Sequence, residues 1–160
     1  MRAVWRRIVF SVLISNTDDH LRNHGFLYGN TDGWRLAPVY DVNPVPTDIH
    51  ARVLTTAIDL DDGTASLDLA MAVAGHYELD ARAAAEIVAE VGRAVATWRT
   101  DAARLGLTRP EIDRMASAFE HEDSRASTTM SRKTSATTKM KTKKMKTKAP
   151  GRLRVRRDAP

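Results

Sequence analysis

Asn16-Thr17-Asp18-Asp19-His20-Leu21-Arg22-Asn23-His24, followed after a short interval by Leu36-Ala37-Pro38-Val39-Tyr40-Asp41, is the stretch of this 160-residue chain from which the rest is read. Upstream of it, Trp5, Ile8, Val9, Val12 and Leu13 recur at helical spacing while Arg2, Arg6 and Arg7 can stay wet, so the chain is expected to enter the stretch from a buried helix. Downstream, Phe26-Leu27-Tyr28 and Trp34-Arg35-Leu36 flank a Gly/Asn/Asp cluster, which is a hairpin signal. The polar stretch then lies on the loop between helix and hairpin. Pro38, Pro44 and Pro46 make the segment from Ala37 to Thr47 irregular, because each proline removes a backbone donor and disfavours helix in the residue before it. Asp41 is therefore expected just past the second strand, facing back toward Asp18 and Asn23.

The bulk numbers bound what surrounds this centre. A chain of 160 residues with 42% hydrophobic composition buries one modest core. The absence of cysteine excludes a disulfide framework, zinc-thiolate sites and thiol catalysis, and fits a cytoplasmic setting. The basic start and apolar run at the N-terminus resemble a signal peptide, but the run is short and no small-residue cleavage pattern follows. No run approaches the roughly 20 apolar residues of a membrane span, so no membrane partner is expected.

Charge is distributed unevenly. From Met1 to Glu120 there are twelve arginines, no lysine and seventeen acidic residues, a net of −5. From His121 to Pro160 there are thirteen basic residues and three acids, a net of +10. The chain thus divides into an acidic, arginine-only body, residues 1–120, and a basic tail, residues 121–160. The body reads as mainly α-helical. Asp59, Asp61 and Asp62 beside Gly63 lack the alternating ligands and distant glutamate of a calcium loop and are expected to form a solvated turn. Ser66 to Ala74 reads as a short helix ended by Gly75, and Asp80 as the cap of one long amphipathic helix from Ala81 to Leu105. Thr108-Arg109-Pro110-Glu111 starts a last helix that runs to about Glu120. The tail, with its imperfect Lys-Met-Lys-Thr repeat from Lys139 to Lys148, has too little apolar surface to offset its ordering entropy and is expected to be disordered. Lysine-rich arms bind phosphate backbones through counterion release, so non-specific nucleic acid is a candidate partner. No aromatic residue follows Phe119, which leaves out the stacking used by single-strand binders.

Phosphoryl transfer asks a protein for little covalent work: a carboxylate that accepts the proton of the attacking hydroxyl, and oxygen ligands that hold magnesium on the phosphates. Protein kinases assign those tasks to an aspartate, an asparagine five positions later, and a second aspartate. Asp18 and Asn23 have that separation, and Asp41 follows the expected hairpin. An oxygen-only ligand set suits magnesium better than zinc or copper.

Asn16-Thr17-Asp18-Asp19-His20-Leu21-Arg22-Asn23-His24-Gly25-Phe26-Leu27, followed by Leu36-Ala37-Pro38-Val39-Tyr40-Asp41-Val42, resembles the catalytic core of HipA-like serine/threonine kinases, the toxin components of HipAB-type toxin-antitoxin systems. The likeness is dense from Phe10 to about Pro46 and fainter through the helix from Ala81 to Leu105. It implies the C-terminal lobe of a protein-kinase-like fold, helical with one small hairpin, using ATP and Mg2+ to phosphorylate a protein substrate. It also implies a HipB-like antitoxin as partner. Carried over by position, Asp18 matches the catalytic base, Asn23 a magnesium ligand, and Asp41 the magnesium-binding aspartate. His20 could contact phosphate or the catalytic aspartate, or organise the loop by hydrogen bonding. Arg22 stands where the family often has lysine and would neutralise charge on the transferred group. Asn16 and Asp19 read as loop-shaping, His24 as a core or supporting residue, and Tyr40 as packing beside Asp41.

The chain departs from the family's pattern in three ways. Nothing upstream of Asp18 resembles a phosphate-cradling loop, the body has no lysine, and there is no Gly-x-Gly anywhere. The resemblance therefore implies an isolated C-terminal lobe without its N-terminal partner lobe, weak or inactive alone. The contrasting reading is a non-catalytic interaction module whose basic tail contacts nucleic acid.

Overall fold

The computed structural model describes residues 1–30 and 33–130. About half of them are helical, and the rest are loops apart from one small antiparallel hairpin. The expected disordered tail lies largely outside them, including the whole Lys-Met-Lys-Thr repeat.

The core is built on the first helix. In α1 (Arg2–Leu13) Trp5, Val9, Val12 and Leu13 are completely buried, and the Trp5 indole N–H donates to the Ala70 carbonyl at 3.3 Å. They pack against Ala84, Ile87, Val88, Val91 and Val95 of α3 (Ala81–Val95), with Leu67 and Ala70 of α2 (Leu67–Val73) closing the cluster. The caps follow from local chemistry. The Ser66 hydroxyl accepts from the first-turn amides of α2, and the Asp80 carboxylate from the Ala83 amide at 2.7 Å. The hairpin pairs β1 (Phe26–Gly29) with β2 (Gly33–Leu36), Phe26 opposite Leu36 and Tyr28 opposite Trp34. Residues 37–46 contain no regular element, as the prolines require. Among the described residues no helix is long and apolar enough to cross a membrane.

Four expectations are corrected. Gly75 does not end α2: a 3-10 turn, Ala74–Tyr77, runs through it, and Glu78 takes the left-handed conformation at φ 60°. The single helix from Ala81 to Leu105 is two helices, α3 and α4 (Trp98–Arg104). The Thr97 hydroxyl lies 2.9 Å from the Ala94 carbonyl and 2.7 Å from the Asp101 carboxylate, which satisfies groups on both sides of the break. The new direction lets Trp98 stack on Phe119, ring centroids 4.5 Å apart. The last helix is likewise divided at Met115 into α5 (Arg109–Arg114) and α6 (Ala116–Phe119), although the Thr108/Glu111 capping box forms at its start.

The fourth correction concerns the boundary of the tail. Residues 122–130 form a helix, α7, packed on the body. Asp123 accepts from the Leu67 amide at 2.8 Å and from Arg52 at 2.7 Å, and Arg52 also donates to the Val12 carbonyl. Ser127 is 1% exposed against Gly92 of α3, which has no side chain to keep the two helices apart. Polar residues at 121–127 thus find partners far away in sequence, and composition alone does not reveal them.

Candidate functional site

The loop that carries Asp18 begins where α1 stops. Ser15 takes the left-handed conformation, φ 53°, and its buried hydroxyl donates to the Ala118 carbonyl at 3.0 Å. The turn buries Asn16 and Thr17 and leaves Asp18 exposed. A second segment braces the loop, the Thr55 amide donating to the Thr17 carbonyl at 2.9 Å and the Thr56 amide to the Asp19 carbonyl at 3.2 Å. With its backbone held on both sides, the loop presents Asp18 to solvent from a fixed base.

A 3-10 turn, Leu21–Asn23, then brings Asn23 back under Asp18. Asn23 is buried, and its side-chain amide donates to the Asp18 carbonyl at 3.4 Å, which leaves the amide oxygen available as a ligand. Asp19 points the other way. It accepts from the Ser11 hydroxyl at 2.9 Å and pairs with His24 at 2.8 Å, beside a recess of about 400 Å³ lined largely by apolar side chains such as Ile8, Phe26, Leu36 and Ile58. The adjacent carboxylates are thus separated by environment, Asp18 in water and Asp19 in a hydrogen-bonded pair.

Asp41 reaches the same region after the hairpin. The Ala37 amide donates to the Gly25 carbonyl at 2.8 Å, and Arg7 of α1 donates to the Ala37 carbonyl. Tyr40, expected only to pack, donates its hydroxyl to the Arg22 carbonyl at 2.6 Å. Asp41 is itself left-handed, φ 54°, and accepts from the Asn43 side chain at 3.0 Å, while the Asn43 amide donates to Asn16 Oδ1 at 3.3 Å. The segments bearing Asp18, Asn23 and Asp41 are therefore joined through Tyr40 and Asn43. Among the described residues no hydrogen bond or ion pair links the Asp41 carboxylate directly to Asp18 or Asn23.

The remaining candidates are placed as follows. Arg22 is exposed and forms no ion pair among the described residues. His20 accepts the Asn23 amide on its backbone carbonyl at 2.8 Å, but its ring Nδ1 is buried with no hydrogen-bond partner among the described residues. The histidine whose ring organises the loop is His24, through Asp19. Asn43 was missed in the sequence because its role depends on Asn16, 27 positions earlier. The only signal was its position two residues after Asp41, in reach of an Asx-type turn.

Among the described residues no three His, Cys, Asp or Glu side chains form a metal cage. The donors present are one exposed carboxylate and one amide oxygen. That set fits Mg2+, which is commonly bound by one or two protein oxygens together with phosphates and water.

Comparison with known proteins shows the family. The family described as "HipA-like C-terminal domain" matches residues 1–98, and the chain belongs to that family. A Haemophilus influenzae protein named "Putative kinase" is 36% identical over 70 residues, covering 41% of this chain and 20% of the relative. The chain thus spans about one-fifth of that relative's length. No solved structure matches the chain.

Proposed function

We propose that this chain is the C-terminal catalytic part of a HipA-like protein serine/threonine kinase. Asp18 accepts the proton of the attacking protein hydroxyl, and Asn23 and Asp41 are the residues that would hold Mg2+ together with ATP. Mg2+ bound there would supply neutralisation of phosphate charge. Arg22, exposed on the same turn and without an ion-pair partner among the described residues, supplies positive charge to the γ-phosphoryl group in flight, and His20 organises the loop by accepting the Asn23 amide on its carbonyl. The observation that carries the reading is the pair of tethers, Tyr40 to Arg22 and Asn43 to Asn16, that bring the Asp41 segment against the Asp18 loop. The chain spans about one-fifth of the length of the relative it matches, so turnover is expected to rise when the remainder of such a relative is supplied in trans.

The test is transfer of labelled γ-phosphate to serine or threonine of a protein substrate, with that remainder present. Asp18→Asn is expected to lower the rate by roughly 10²- to 10⁴-fold, the range for loss of a general base. Unchanged transfer in Asp18→Asn refutes the assignment.

A second reading, a non-catalytic module that binds an antitoxin-like partner, is favoured by the hairpin. Tyr28 and Trp34 face solvent at 62% and 71% exposure, with ring centroids 5.2 Å apart. Tyr28→Ala with Trp34→Ala would then abolish capture of a co-expressed antitoxin-like protein while Asp18→Asn left it intact.

A further inference from the structure

We propose that Asn43 is the positioning residue for Asp41, at the end of a directed chain of hydrogen bonds that runs back through Asn16 to α1. The inference rests on the reading of Asp41 as a metal ligand and adds what holds that ligand in place.

Asp41 is an exposed side chain on a strained backbone. A non-glycine residue at φ 54° is in a sparsely populated conformation that persists where its surroundings over-determine it. The Asn43 side-chain amide supplies one constraint, donating to Asp41 Oδ1 at 3.0 Å. With that oxygen engaged, Oδ2 is the carboxylate oxygen without a hydrogen-bond partner among the described residues.

Asn43 is held in turn from the interior. Its backbone N–H donates to Asn16 Oδ1 at 3.3 Å, and the Asn16 amide donates to the Ser11 hydroxyl at 3.4 Å. The Ser11 hydroxyl donates to Asp19 Oδ2 at 2.9 Å, and Asp19 Oδ1 pairs with His24. Asn16 is 2% exposed and Ser11 5%, so the middle of the chain is anchored in the core. Nearby, the Val45 amide donates to the Ser15 carbonyl at 3.2 Å, which fixes the same loop at a second point. The donors point outward to a carboxylate at each end. One end is Asp41, and the other is Asp19, the chain neighbour of Asp18. The network therefore sets the distance between the segments that carry the base and the metal ligand.

A side chain with a hydrogen-bond donor is needed at position 43, because an aspartate would set two carboxylates against each other and an alanine would leave Asp41 Oδ1 without this partner. Hydrogen bonds that orient a ligating carboxylate are typically worth 10- to 100-fold in metal affinity.

The experiment titrates Mn2+ as the probe, in the presence of ATP, into the full chain, reading free Mn2+ by electron paramagnetic resonance. It compares wild type, Asn43→Ala, Asp41→Asn and the double variant. Asn43 is on the surface, and the melting temperature of Asn43→Ala verifies that the fold is kept. The expected results are an affinity lower by roughly 10-fold in Asn43→Ala and a double variant no weaker than Asp41→Asn alone, because the two residues act as one unit. Wild-type affinity in Asn43→Ala, with Asp41→Asn weakened, overturns the positioning role and leaves the metal-site reading standing. A further loss on adding Asn43→Ala to Asp41→Asn also overturns it, since the effect would then not pass through Asp41. Equal affinity in wild type and Asp41→Asn overturns the metal-site reading and the inference together.

Discussion

His121 shows how a single side chain can tie the site to the far end of the chain. Its Nε2 donates to the Leu13 carbonyl at 3.1 Å, two residues before the strained Ser15. Burial, with the nearby Arg52 guanidinium as the second cause, holds its pKa below the ordinary value of 6.5, while Asp123 acts in the opposite direction. The folded state therefore prefers the neutral ring. Below about pH 6.5 the unfolded chain binds a proton that the folded chain resists, so stability falls as the pH falls and is fully present above that value. Denaturant unfolding at pH 7.5 and pH 5.5 should show a loss that is smaller in His121→Gln, whose amide can still donate to Leu13. The loop residues carry a complementary lesson. The separation of Asp18 from Asn23 was visible in the sequence because it lies within one turn. The division of labour between His20 and His24 was not, because it depends on which ring meets Asp19 after the loop closes.

At the scale of elements, what was legible is what local chemistry determines. The apolar period of α1, the Asp80 cap, the helix start at Thr108 and the hairpin pairing all follow from neighbours within a few positions. The breaks at Thr97 and Met115 and the helix over residues 122–130 were hidden, because they are decided by contacts such as Trp98 on Phe119 and Asp123 on the amide of Leu67, 56 positions away. The crossing of α3 and α7 at Gly92 tests this account of the C-terminal segment. A Cβ at position 92 would lie 2.8 Å from Ser127 Cβ, with the hydroxyl oxygen closer still. Helix propensity alone would make Gly92→Ala stabilising by about 1 kcal/mol. Here overpacking should win, and the variant should be less stable by about 1–3 kcal/mol in a denaturant titration. Ser127→Gly in the same chain should recover most of that loss. A Gly92→Ala variant more stable than wild type would mean that α7 does not pack where the structure puts it.

The whole molecule combines an acidic body with a strongly basic end. Residues 121–130 belong to the body, through Asp123 and Ser127, and the basic excess lies beyond them. A test of nucleic-acid contact should therefore truncate after Met130, since a cut after Glu120 would also remove the Asp123 partner of Arg52. The expectation is weak DNA binding by the full chain, falling steeply with salt as phosphate contacts require, and lost in the truncated chain. Binding that survives the truncation would place the contact on the body instead. The central claim, however, concerns Asp18, Asn23 and Asp41 as one magnesium-nucleotide site. The most direct measurement is calorimetric binding of ATP to the chain with and without Mg2+, in wild type and Asp41→Asn. The account predicts weak binding that requires Mg2+ and disappears in Asp41→Asn. ATP binding that is indifferent to Mg2+, or equally strong in Asp41→Asn, would contradict it.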